Sequence, residues 1–270
     1  KPALHDIVTG SEGNIADLAD VRQRVTIGEL GSVLGLAADP TEAGTVYAAA
    51  FVKRHVGLAA APGTIFRVPA TGPITTFVTL AAGPDPHATT TDWLRDAEAW
   101  DAVGKVGLGG LEVAPDRNAL LVENLADRRL YRVPFDDPDA FTSTEIPRPD
   151  SCPDADWRPM AVGVDPLSGD VVVGGTCTGQ STGSREALAG YVFRSGDGGL
   201  SIQPTPLLAF PLTFDRKCAT IVFPDGNLAG NINSNDPTGT CSADPDGCCG
   251  SADGATSIPS GPRRGEADTP

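Results

Sequence analysis

Short apolar runs alternate with Asp/Pro/Gly turns along most of this chain, and one phrase recurs. It is an apolar strand, an acidic or proline-bearing turn, and a second β-rich strand. The copies are Val33–Phe51, Leu108–Leu125 and Met160–Thr176, with a weaker fourth at Cys218–Asn231. Each predicts a hairpin, because the turn residues accept backbone angles that the flanking residues do not. A third strand follows three of the copies, at Gly63–Val68, Arg129–Val133 and Gly190–Arg194. Each sets an aromatic beside a basic residue in a period-two pattern. A fourth is predicted at Ile74–Leu80, Phe141–Ile146 and Ile202–Phe210. Four antiparallel strands per unit is the anatomy of a propeller blade.

The expected fold is therefore all-β and β-propeller-like, with antiparallel four-stranded blades near 27–80, 107–147 and 157–212. The turn aspartates Asp39, Asp116, Asp165 and Asp225 mark the repeat. Their first and third intervals exceed the roughly 40–50 residues of one blade, so the excess is insertion. The largest insertion lies between Leu80 and Gly107 and carries the best helical stretch, around Thr91–Val103, capped by Thr91 or Asp92. Three blades and a partial fourth do not close a ring, so the propeller reads as incomplete. The chain opens at Lys1 rather than Met and reads as a fragment or a processed product. The propeller-like domain is placed at 1–230. Residues 231–270, rich in Ser, Asp, Gly and Pro, read as a disordered tail.

Composition sharpens this picture. The 270 residues include 32 Gly and 24 Pro, too many for a helical bundle. A formal net charge of −15 argues against nucleic-acid and anionic-membrane partners, which require a basic face. No apolar run reaches the roughly 20 residues of a membrane span. All six cysteines fall in the second half, without a zinc-ligand spacing. Low lysine content and an even cysteine count point to an exported, secreted or cell-surface protein. Cys152–Cys177 is the most natural disulfide, since each sits at the edge of a predicted strand pair. Other pairings, or six free thiols, stay open.

Three stretches carry a family resemblance: AAAFVKRHVGL at 48–58, WDAVGKVGLGGL at 100–111 and ENLADRRLYRV at 123–133. Together with the surrounding hairpins, over roughly 27–220, they resemble a group of bacterial exported proteins. In that group a propeller-like N-terminal module precedes SdrD-type B domains, which are immunoglobulin-like surface repeats. The resemblance implies a secreted or surface location and no particular catalysis. The B-domain signature itself does not occur in this sequence.

The candidate chemistry is sparse. Lys53, Arg54 and His55 form a basic trio at a strand end that suits an anion or carboxylate, or simply a solvated loop. Asp101 and Lys105 flank the next blade, and Trp157–Arg158 offers a cation–π surface or a blade closure. Glu112, Asn124 and Asp127 have the hard oxygen donors of a calcium site, as on lactonase propellers. Asp127–Arg129 reads equally as a turn. His5, His55 and His87 lack a neighbouring nucleophile motif, and no GxSxG, GxGxxG or Walker loop occurs. The expected role is a non-catalytic binding or structural module that presents loops to a protein or glycan, with no cofactor. The alternative is a calcium-dependent, lactonase-like hydrolase.

Overall fold

The structure, a computed structural model, describes residues 25–93 and 96–212. The chain divides into two units, Lys1–Thr213 and Phe214–Pro270, and all described residues belong to the first. The weak fourth hairpin, the tail and His5 lie outside the described residues.

Twelve strands build three four-stranded antiparallel sheets, each in plain sequence order. The first contains β1 (Val33–Ala38), β2 (Val46–Ala50), β3 (Thr64–Val68) and β4 (Thr75–Thr79). The second contains β5 (Leu108–Val113), β6 (Ala119–Asn124), β7 (Arg129–Pro134) and β8 (Thr142–Glu145). The third contains β9 (Trp157–Val164), β10 (Val171–Cys177), β11 (Ala189–Ser195) and β12 (Leu208–Pro211). The first strands of the sheets, β1, β5 and β9, pack side by side. This is an all-β, propeller-like arrangement with the expected blades. The last strand is shorter than the Ile202–Phe210 pattern predicts. Pro204 and Pro206 have no N–H for a ladder, so pairing to β11 begins at Leu208.

The blades stack face to face because successive residues of β6 point to opposite sides. Leu120 and Val122 join Tyr47, Ile65, Val78 and Leu108 in a core between the first two blades. There Tyr47 packs against Phe77 and Phe135, with ring centroids at 4.8 and 5.5 Å. Ala119 and Leu121 turn the other way, onto Trp157, Val171, Val173 and Phe193. The disulfide Cys152–Cys177 lies in this second core and joins the chain before β9 to the end of β10.

Close approach of β5 and β9 explains the glycines at 109 and 110. A Cβ on Gly109 would sit 2.9 Å from the Met160 carbonyl oxygen, and one on Gly110 would sit 2.8 Å from Val162 N. Opposite this bulged pair lies Glu123, which is fully buried between the blades. Neither of its carboxyl oxygens has a hydrogen-bond partner. The backbone N–H groups of Gly110 and Glu123 favour its charged form, but more weakly than burial opposes it. Burial pushes its pKa well above the usual carboxylate range.

Antiparallel order sorts the connections between two edges. The tight turns β1–β2, β5–β6 and β9–β10 share one edge with the β3–β4, β7–β8 and β11–β12 links. The long β2–β3 and β10–β11 loops share the other with the crossings between blades. We call these the turn edge and the loop edge.

Candidate functional site

The loop edge gathers the β2–β3 loop and the insertion that follows β4. The sequence predicts a helix over Thr91–Val103. Among the described residues, the helix is one turn, Ala97–Trp100. The cause is Asp96, which adopts the left-handed conformation (φ 45°) and does not cap the helix with its side chain. Its carboxylate turns inward instead. It accepts hydrogen bonds from His55 N at 2.6 Å and Thr90 Oγ1 at 3.3 Å, and it lies 3.2 Å from His87 Nε2. Burial pushes its pKa up, but the bonds from His55 and His87 outweigh this and hold it below the usual range.

His87 is buried at the centre of the insertion. A 3₁₀ turn, Pro86–Thr89, carries it, capped by Asp85, whose Oδ1 accepts from His87 N at 2.9 Å. The imidazole stacks on Trp93 with centroids 5.1 Å apart and planes 15° apart. His55 is a second left-handed residue (φ 64°). Its Nδ1 lies 2.8 Å from the Trp93 carbonyl oxygen, which can only accept. Nδ1 therefore carries the proton, and in the neutral ring Nε2 is an acceptor. Two strained residues, His55 and Asp96, thus bond to each other. Non-glycine residues held in this conformation cost about 1–3 kcal/mol each and cluster where geometry serves function.

These contacts form one wall of a cleft of about 370 Å³, lined among others by Ile27, His55, Val56, Gly57, Leu58 and Trp93. Trp93 is 45% exposed. Gly57 gives its indole room, since a Cβ there would meet the Trp93 ring at 3.4 Å. Among the described residues, the lining contains no Ser, Cys, Lys, Arg, Asp or Glu.

The structure brings part of the expected binding set to this edge. Lys53 pairs with Val56 across the turn that carries Arg54 and His55. The Arg54 guanidinium lies 4.4 Å from the Trp100 ring centroid, a cation–π contact that joins the loop to the insertion. Asp101 and Lys105 form an exposed ion pair at 3.9 Å, beside the cleft lining in sequence but not in it. Trp157 and Arg158 serve elsewhere. Trp157 is buried in the second inter-blade core, and Arg158 donates to the carbonyls of Trp157 and Ala155.

On the second blade, Glu112, Asn124 and Asp127 each bond to a different neighbour. The register sets Glu112 opposite Leu121 and Asn124 opposite Leu108, three pairs or about 10 Å along the strand. Glu112 accepts from Val113 N. Asn124 donates to Ala81 O and accepts from Ala126 N. Asp127 accepts from Arg129 N and Tyr131 Oη, as a turn residue does. Among the described residues, no group of three or more His, Cys, Asp or Glu side chains is placed to hold a metal ion.

Trp93, His87 and Asp96 were not singled out as a site by sequence reasoning. The available signal was a tryptophan in an otherwise polar run, TTDWLRD, close after a histidine.

The fold and cleft define a propeller-like module with a recognition-sized hollow on its loop edge. No known protein-family profile matches the chain. Colossin-D of Dictyostelium discoideum is 27% identical over 210 residues, 73% of this chain but 21% of that protein. Among solved structures, the nidogen/laminin complex aligns with a TM-score of 0.41 at 13% identity, over 70% of this chain and 52% of that one. Virginiamycin B lyase from Staphylococcus aureus, an inactive variant bound to quinupristin, aligns at 0.34 with 14% identity, over 66% and 40%. The chain thus spans about a fifth to a half of the proteins it matches.

Proposed function

We propose that this chain is a non-catalytic binding module of a secreted or cell-surface protein, which offers its loop edge to a protein or glycan partner. The observation that carries this reading is the cleft. Its exposed Trp93 wall is fixed from behind by the His87–Asp96–His55 network. Rigid support behind an exposed aromatic serves recognition by limiting the entropy lost on binding. The Cys152–Cys177 disulfide supports an oxidising, exported setting. Kinship with exported proteins that carry SdrD-type B domains belongs to the same proposal. The lactonase-like alternative draws no support from the scattered Glu112, Asn124 and Asp127.

The test is to probe arrays of glycans and extracellular proteins with the labelled full chain and with its Trp93→Ala and His55→Ala variants. Binding to at least one array component that Trp93→Ala abolishes is the expected result. Binding that both substitutions leave unchanged would remove the cleft from the reading. Calcium-dependent lactone hydrolysis lost in Glu112→Gln would replace it with the enzyme.

A further inference from the structure

Resting on that reading, we infer that the cleft takes one uncharged sugar ring, a neutral pyranose seated against the exposed surface of Trp93 with a hydroxyl donated to His55 Nε2. Four observations converge on this ligand class.

The indole is stacked on His87 and partly exposed, at 45%. A pyranose has a flat face of C–H groups that packs on such an indole, and Ile27, Val56 and Leu58 extend the apolar surface around it. The same ring carries hydroxyls at its rim. His55 lines the cleft, and in the neutral ring its Nε2 is an acceptor because Nδ1 donates to the Trp93 carbonyl. A ligand with an apolar face and a hydroxyl-bearing rim matches both features, whereas a purely apolar group would use only the first.

Charge argues in the same direction. Among the described residues, no Lys, Arg, Asp or Glu lines the cleft. The chain's formal charge of −15 further disfavours anions. Size and backbone argue against an extended peptide. A hollow of about 370 Å³ is at the small end of ligand sites, enough for one ring. Strand addition needs free backbone groups, but this segment's are engaged within the chain. Gly31 pairs with Leu58, and Ser32 N donates to Gly57 O.

The experiment follows the indole N–H resonances of the ¹⁵N-labelled full chain during titration with the methyl glycosides of glucose, galactose, mannose and N-acetylglucosamine. The expected result is a saturable shift of the Trp93 signal by at least one glycoside, with Trp157 unmoved. Affinity should fall about tenfold or more in Trp93→Ala, read from ligand signals. It should fall several-fold in His55→Ala, with partial recovery in His55→Gln, whose amide oxygen restores an acceptor. Because the primary readout is on the unaltered chain, a variant that fails to fold does not remove the test. If no glycoside shifts Trp93 while Trp93→Ala still abolishes capture of an arrayed protein, the sugar inference is overturned and the module reading stands. If neither responds, both fall.

Discussion

The turn edge and the loop edge are built from similar residues used in different ways. At the turn edge, aspartates close their own hairpins. Asp39 accepts from Thr41 N, Glu42 N and Tyr47 Oη, and Asp165 from Leu167 N and Ser168 Oγ. Asp197 accepts from Ser195 Oγ, Ser201 N and Ser201 Oγ. Each of these aspartate bonds spans eight residues or fewer along the chain. At the loop edge, Asp96 reaches back 41 residues to His55, and Asp156 reaches forward 25 to Ser181. Local bonds fix a turn wherever the sequence occurs. Distant ones exist only once the blades are assembled. The difference separates scaffold from site.

The most severe break in this contrast should come from Trp157→Ala, just after the crossing between the second and third blades. The side chain is 1% exposed and packs on Tyr191 and Phe193. Its loss should cost about 3–5 kcal/mol by chemical denaturation. Next is the replacement of Cys152 and Cys177 by Ala, expected to cost about 2–4 kcal/mol, measured the same way.

A pH series then separates two kinds of acid. At the turn edge, hydrogen bonds from Ser201 and Ser195 hold Asp197 at about 2. Its stabilisation is complete above the ordinary Asp range and is lost as pH falls toward that value. Asp197→Asn should flatten the acid limb of the stability curve. Glu123 behaves oppositely. Its raised value means that the folded state keeps a proton the unfolded state releases. Stability therefore falls as pH rises from the ordinary Glu range to the folded value, and Glu123→Gln should flatten that decline. An unaltered slope in either variant would separate that carboxyl from the pH response. The smallest effect belongs to Asp101→Asn. It removes an exposed ion pair and should change stability by less than about 0.5 kcal/mol.

The same contrast explains what could be read in advance. Asp39 and Asp165 bond within their own turns, so the hairpins around them were legible, and the spacing of the turn aspartates yielded the blades. The site was legible only in its basic loop, Lys53–His55. Asp96 resembled one more residue of a helix, because nothing local announces its bond to His55. Glu112 drew attention as an oxygen donor, while Glu123, the acid the fold buries, looked like the polar end of a strand. Its burial comes from β9, supplied by the next blade.

The insertion leaves and rejoins the scaffold at a single point. Gly107 N donates to Ala82 O at 2.9 Å, Asn124 Nδ2 holds Ala81 O, and Phe51 bridges to Gly107. Beyond this neck the segment also meets the first blade, through Asp96 on His55 and Trp100 under Arg54. Lengthening such a closed excursion costs little, since loop entropy grows only with the logarithm of length. Chain can therefore be added to the segment at little cost, as long as the neck and the partners of His55 and Arg54 are kept.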